Sequence, residues 1–283
     1  MRRGIAHLAG WRITGASFPL HGVRPILLTP RRTTLSRRLE GRTLAAVARF
    51  GKRVAVELAP TARHGREWLV IEPRMTGQLL VTDPPTVTHV RMILELGASR
   101  RPPRRLIFWD RRGLGTIRLF DGRGLAAALG PAKLGPDGLS VEAADLRDRL
   151  GRSRRAVKVA LLDQRAVAGI GNIYAAEILH RAAIDPRAAC RRLPPAAWDA
   201  IAAATRAILA EAVACEGSTI GDATYKTADN RAGSFQDRHR VYGREGLPCT
   251  ACGTPIVRCV QGQRSTFYCP ACQWQPRRRC STL

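Results

Sequence analysis

The 283-residue chain carries 47 Lys and Arg against 22 Asp and Glu, a formal net charge of +25. A net charge of about 2–8 is enough to keep a small domain soluble, so this arginine-rich excess points to a polyanion, nucleic acid first. No apolar run is long enough to cross a bilayer, the N-terminus lacks a signal-peptide core, and no basic amphipathic helix with an aromatic-rich face stands out. These features argue against a membrane role and predict a cytoplasmic protein.

The length suits two domains plus a small appended unit. A short helix is predicted around Arg2 to Leu8. The first half then reads as β: Val54 to Leu58, Trp68 to Ile71, Val90 to Leu96 and Arg105 to Phe108 are short, partly alternating runs. Turn signals separate them at Ala59-Pro60, Asp83-Pro-Pro85, Gly97 and Arg101-Pro-Pro103. Evenly spaced short strands predict a sandwich or barrel. Glycine and proline cluster from Asp121 to Gly138, which reads as a linker. The second half is predicted helical over Val141 to Leu150, Ala156 to Leu162, Ile173 to Arg181 and Ala196 to Ala214. A polar, glycine-rich stretch from Gly217 to Gly233 reads as a mobile loop.

Near the C-terminus, Cys249, Cys252, Cys269 and Cys272 form two Cys-x-x-Cys pairs a hairpin's length apart. Two facing turns of this kind complete a tetrahedron of thiolates, the set that suits one structural zinc. The competing reading is disulfides or free thiols, but such double spacing is a strong metal signature. Cys190, Cys215, Cys259 and Cys280 are scattered and read as ordinary thiols of a reducing compartment. Between the pairs, Arg258 and Arg264 face almost no acid. Upstream, Ala168-Gly-Ile-Gly-Asn172 interrupts two helical runs. Such a turn lets backbone approach a phosphate at a helix N-terminus, with Lys158 and Arg165 flanking it. The plainer reading is that Asn172 only caps the helix.

Leu161-Leu-Asp-Gln164, Val167 to Ala175, Ala176-Glu-Ile-Leu179, Gly217-Ser-Thr219, Val241-Tyr-Gly-Arg-Glu-Gly246 and Arg264 to Cys269 together resemble the formamidopyrimidine-DNA glycosylase/endonuclease VIII family. The resemblance implies an α+β multidomain protein that repairs oxidised purines in damaged duplex DNA as a glycosylase and abasic-site lyase, working as a monomer. Its β-sandwich would span residues 1–122, a linker 123–137, a helix–two-turn–helix domain 138–240, a zinc finger 241–276 and a basic tail 277–283. By the same resemblance, Asn172, Lys158 and Arg264 grip the phosphates around an extruded nucleotide. Lys52 serves that backbone and the elimination chemistry. Met75 fills the gap left by the flipped base, and Arg112 and Leu114 stand beside the estranged partner. His89 and Tyr242 complete the DNA-binding set, and residues 217–233 match the loop that closes over the lesion. An enzyme acting at C1′ must take its nucleotide out of the stack, and apolar wedges refill the hole. Without the resemblance, Met75 and Leu114 would read as core.

The family opens with Pro-Glu-Leu-Pro-Glu-Val-Glu-Thr, whose proline amine attacks C1′ and whose glutamate moves protons. This chain begins Met1-Arg-Arg-Gly-Ile-Ala-His-Leu-Ala-Gly10 and matches only from just after that octapeptide. Two expectations compete: a start placed too late, favoured by the retention of Lys52, Asn172 and Arg264, or a lesion-binding protein that does not cut. Basic charge and a zinc hairpin alone would also permit an RNA-associated protein. Smaller departures are Glu72-Pro-Arg74 where His-Leu-Gly is usual, Val87 for a histidine, Gly113 for an arginine and Leu114 for phenylalanine.

Overall fold

The computed structural model describes residues 1–20, 24–99, 101–219 and 226–273. They fall into two compact units, Met1–Gly130 with Ser218–Ser234, and Pro131–Gly217 with Phe235–Leu283.

The first unit opens with α1 (Arg2–Ile5), a 3-10 turn, β1 (Arg12–Ser17), β2 (Leu27–Thr29) and α2 (Arg32–Leu39). Then follow β3 (Leu44–Phe50), β4 (Arg53–Leu58), β5 (Glu67–Glu72), β6 (Gly77–Leu80), β7 (Val90–Ala98), β8 (Arg101–Asp110), β9 (Thr116–Asp121) and α3 (Gly122–Leu129). They build a four-stranded sheet, β1-β7-β8-β6, and a five-stranded sheet, β2-β9-β5-β4-β3. Side chains alternate across each strand. Leu94, Leu96, Leu106 and Phe108 of one sheet therefore share a core with Val56, Leu58, Leu69, Ile71 and Ile117 of the other. This is the expected sandwich.

Three local readings change. Gly97 lies inside β7, and Arg101-Pro-Pro103 lies inside β8, with Ala98 opposite Arg101. Proline is tolerated there because β6 pairs with β8 only over Ile107 to Asp110, so the proline positions have one open edge. The stretch from Asp121, read as a linker, begins with helix α3. Asp121 caps it by accepting the Gly124 N–H at 2.7 Å, and an alanine-leucine run follows. Its two glycines sit in the first turn, where backbone N–H groups lack helical partners anyway. Finally, part of the polar 217–233 stretch is anchored to the sandwich. Ala228 is buried with Ile5, and Val81 N–H donates to its carbonyl at 3.0 Å. The approach is close enough that a Cβ on Gly4 would lie 2.6 Å from the Ala228 methyl. Residues 220–225 of that stretch, the basic tail 277–283 and Cys280 lie outside the described residues.

The second unit contains α4 (Ala143–Leu150), α5 (Val157–Leu161), α6 (Asn172–Arg181), α7 (Pro195–Ala214) and the hairpin β10 (Val257–Gln261)–β11 (Arg264–Tyr268). Reciprocal capping by Glu142 and Asp145 starts α4, and Pro195 occupies the first turn of α7. The apolar faces of these helices bury Leu146, Leu161, Ile178, Trp198, Ile201 and Ile208 in one core. The C-terminal hairpin unit has a much smaller core cluster: Val241, Ile256 and Phe267 with Cys249 and Cys269, seated on Ala176 of α6. Among the described residues no helix is long and apolar enough to cross a membrane.

Candidate nucleic-acid interface

In the second unit, the turn before α6 is built by one amide. Gln164 Oε1 accepts the Gly169 N–H at 3.0 Å, while its Nε2 donates to the carbonyls of Leu162 and Ile170. Gly169 sits at φ +104°, a conformation that glycine takes freely. Gly171 is the helix N-cap, and Asn172 is the first helical residue. The Asn172 side chain does not cap. Its Nδ2 crosses to the finger and donates to the Ser265 carbonyl at 3.0 Å. One amide hydrogen remains for a ligand, beside the outward-facing N–H groups of the first turn of α6.

Lys158 converges on the same point. Its side chain is fully buried, yet among the described residues its Nζ reaches only the Ser265 carbonyl, at 3.4 Å. Burial and then the Arg264 guanidinium pull its ammonium down to about 8, with the Cys259 thiol opposing. Arg264, exposed, begins β11 just after a two-residue turn at Gly262 (φ +53°) and Gln263 (φ +61°). Both residues in the left-handed region match the tight turn that follows strand twist. Lys158, Asn172 and Arg264, dispersed in sequence, thus gather around Ser265. Arg165, the other expected cation, pairs with Asp163 instead.

Behind this tip, the four cysteine Sγ atoms lie within 4.8 Å of one another, with 3.9 Å between Cys249 and Cys272 and 3.5 Å between Cys252 and Cys269. A tetrahedral zinc with Zn–S near 2.3 Å needs sulfurs about 3.8 Å apart. Ala251 and Cys272 N–H groups donate to the Cys249 and Cys269 sulfurs at 3.5 and 3.4 Å, as thiolates require. The set fits one structural zinc. Among the described residues Cys190, Cys215 and Cys259 form no disulfide.

The finger is tied to α6 by a residue that the sequence reading did not single out. Buried Glu177 accepts the N–H groups of Arg240, Val241 and Tyr242 at 2.9, 3.1 and 2.8 Å. The Tyr242 ring packs edge-on against Phe267, 5.1 Å between centroids. A lone acid on the apolar face of α6 was the available signal.

In the first unit, Lys52 is exposed in the two-residue turn joining β3 and β4, behind Gly51 at φ +57°. Met75, 66 % exposed, projects from the β5–β6 loop, which removes the core-packing reading. Leu114 is half-buried and Arg112 exposed in the β8–β9 loop. One carboxylate clasps these two loops together. Asp110, fully buried, accepts from Thr76 Oγ1 at 2.5 Å and from Gly115 N–H at 2.7 Å, and Thr76 Oγ1 in turn accepts the Arg112 N–H at 3.0 Å. Neither Asp110 nor Thr76 was singled out by the sequence reading, because the bond that joins them closes over 34 residues of chain. His89 is half-buried with its ring edge-on to Trp109 at 5.6 Å.

Asp110→Ala should therefore uncouple the Met75 and Arg112 loops. It strands two buried donors, at about 1–3 kcal/mol each. Urea unfolding of the variant is expected to show that loss. Preference for abasic over intact duplex should fall while the salt dependence of binding stays put, since no cation is removed.

Comparison with known proteins places these features. Residues 1–117 match the formamidopyrimidine-DNA glycosylase N-terminal domain, residues 134–224 the formamidopyrimidine-DNA glycosylase H2TH domain, and residues 246–273 the zinc finger found in FPG and IleRS. A formamidopyrimidine-DNA glycosylase of Ralstonia nicotianae is 40 % identical over 283 residues, covering 95 % of each protein. One from Thermus thermophilus is 40 % identical over 239 residues, covering 83 % of this chain and 84 % of its own. The crystal structure of the MutM (Fpg) protein of Thermus thermophilus superposes with a TM-score of 0.81 at 35 % identity, covering 96 % of this chain and 95 % of that one. That of Lactococcus lactis Fpg with abasic-site DNA superposes with a TM-score of 0.82 at 26 % identity, covering 96 % of both. These relatives carry glycosylase names and give no support to a non-cutting binder. With all three domain models matched and 40 % identity across 95 % of its length, the chain belongs to the formamidopyrimidine-DNA glycosylase family.

Proposed function

We propose that this chain removes oxidised purines, formamidopyrimidine and 8-oxoguanine, from damaged duplex DNA in base excision repair and cleaves the abasic strand. The observation that carries the reading is the meeting of Lys158, Asn172 and the zinc-finger tip at Ser265, beside Arg264. Two cations, an amide donor and a helix N-terminus converge there, and among the described residues no carboxylate pairs with either cation. Such a set suits a phosphodiester.

Within this reading the residues divide the work. Asn172, Lys158 and Arg264 hold the strand at the phosphates that flank the lesion. Lys52, exposed on its turn, contacts the same backbone and assists elimination. Met75, Leu114 and Arg112 enter the space vacated by the extruded nucleotide, where the Asp110 clasp fixes their loops. His89 and Tyr242 line the bound strand. The zinc, held by Cys249, Cys252, Cys269 and Cys272, supplies folding energy to the hairpin and takes no part at C1′. Attack at C1′ and the accompanying proton transfers belong, in the family, to the Pro-Glu opening that these 283 residues do not contain. We further propose that the protein acts as a monomer in the cytoplasm, since one chain carries both the gap-filling loops and the phosphate grip.

Incision and binding assays test this together. The 283-residue chain is expected to prefer an abasic duplex over an intact one. A form extended by the family octapeptide is expected to release 8-oxoguanine and cut the strand. Absence of any abasic preference, with no cleavage by the extended form, would overturn the reading.

A further inference from the structure

Glu72 ends β5 on the face of the five-stranded sheet that points away from the sandwich core, and its side chain is 9 % exposed. Three guanidinium groups surround it. Arg53, just before the Val54–Ile71 pair of β4 and β5, donates from Nε to Oε2 at 3.0 Å. Arg118 on β9 reaches the same oxygen at 3.8 Å, from the diagonal position that cross-strand geometry brings onto one face. Arg74, two residues on, places its Nε 2.9 Å from Oε1. One carboxylate thus organises three cations, and the cluster keeps a surplus of two positive charges.

Arg74 is the unusual member. Its backbone sits at φ +56°, in the left-handed region that glycine occupies freely and arginine does not. The side chain is 55 % exposed, so burial does not reward that strain. Strained backbone of this kind persists where the surroundings impose it, and it collects at functional positions. The next residue is Met75, 66 % exposed and assigned above to the gap left by the extruded nucleotide. Next to Arg53 stands Lys52, on the β3–β4 turn. A surplus of cations flanked by these two residues suits one class of ligand, the phosphodiester of a DNA strand.

We propose that Arg74 is a further phosphate-gripping residue of the DNA site and that Glu72 is its positioning residue, a proposal that rests on the DNA-repair reading above. Glu72 fixes the direction of the Arg74 fork, so that a phosphate is met without first ordering a long side chain. Arg74 sits at φ +56° inside the turn that the Gly77 N–H closes by donating to the Pro73 carbonyl at 2.9 Å, and from there its guanidinium folds back onto Glu72.

The test is equilibrium binding of the full chain to an abasic-site duplex across a salt series, with thermal unfolding alongside. Arg74→Gly places the residue that φ +56° favours, so its Tm should match or exceed that of the unmodified chain. Its Kd should rise about tenfold, and the slope of log K against log salt should fall by about 0.9, the loss of one phosphate contact. Glu72→Gln keeps every cation and raises the cluster's surplus from two to three, so an affinity that nonetheless drops several-fold reads lost positioning of Arg74 rather than lost charge. An Arg74→Gly chain with unchanged Kd and unchanged slope overturns the proposal. Unchanged or raised affinity in Glu72→Gln overturns the positioning role of Glu72. If the unmodified chain shows no preference for abasic duplex, the repair reading itself has failed, which is a separate outcome.

Discussion

Removing zinc should abolish duplex binding while leaving the helical core folded. The finger buries little apolar surface: among the described residues Val241, Ile256, Phe267 and Tyr268 are its buried apolar side chains beyond the cysteines, and Ala176 beneath them belongs to α6. A core of that size cannot offset the ordering entropy of its chain, and the metal must supply the difference. Apparent binding energies for structural zinc in small fingers are about 10–16 kcal/mol at neutral pH. The Glu177 carboxylate ties only the entry to the finger, at Arg240 to Tyr242. The Ser265 carbonyl and Arg264 lie far along the hairpin; Asn172, Lys158 and the Gln273 amide, which donates to the Ile184 carbonyl at 2.8 Å, can hold them only once the metal has ordered that hairpin. Chelation, or Cys249→Ser with Cys269→Ser, should therefore lower affinity for abasic duplex about 100-fold or more, the scale of losing several charge-assisted contacts at once. Far-UV circular dichroism should change little, because α4 to α7 share a core without the hairpin. A colorimetric chelator should release one zinc per chain. Full binding after complete zinc release would show that the hairpin stands on its own core.

Much of this site was legible before any coordinates. The double Cys-x-x-Cys spacing states its geometry outright, because few arrangements bring four thiolates together so cheaply. The glycine interruption before Asn172 is equally direct, since Gly169 at φ +104° marks a turn that a helix interior would not tolerate. What sequence could not convey was partnership across distance. Asn172 reads locally as a cap, yet its amide bonds to Ser265, 93 residues away. Asp110, Glu177 and Glu72 are ordinary acids in sequence. They acquire their roles only when β5–β6, α6 and the finger are folded. Some elements went unread for local reasons. Helix α2, Arg32–Leu39, shows only Leu35 and Leu39 as its buried face, too little periodicity among so many cations to register. Strands β2 and β6 are only three and four residues long. Prolines in β8 mimic a turn because local sequence does not say which edge of a strand is open.

Lys158→Met should make the free protein more stable and bind DNA less tightly. The native ammonium is buried with one long contact to Ser265, and the Arg264 charge opposes it. Replacing a poorly compensated buried ion with an apolar chain of similar length commonly stabilises by about 1–4 kcal/mol. Lys158 titrates near 8 in the fold and at its ordinary 10.5 when unfolded. Below pH 8 both states hold the proton, and the fold bears the full cost of burying the charge. Between about 8 and 10.5 the unfolded chain keeps its proton and the folded chain releases it, so stability rises through that window and levels off above it. A phosphate bound at Ser265 would reverse the preference by holding the ammonium charged. Binding should then take up a proton once the pH exceeds about 8, and affinity for abasic duplex should fall as pH rises further. Lys158→Met should lose about 10–100-fold in affinity at pH 7, the worth of a charge-assisted contact or two. It should also lose the rise in stability above pH 8 and the matching fall in affinity. Both readouts are needed, because a merely structural lysine would alter stability alone. Pairs of denaturation and binding curves at about pH 7, 8 and 9 separate the two cases. A variant whose affinity follows the same pH profile as the unmodified chain would assign the grip to Arg264 and Asn172 without Lys158.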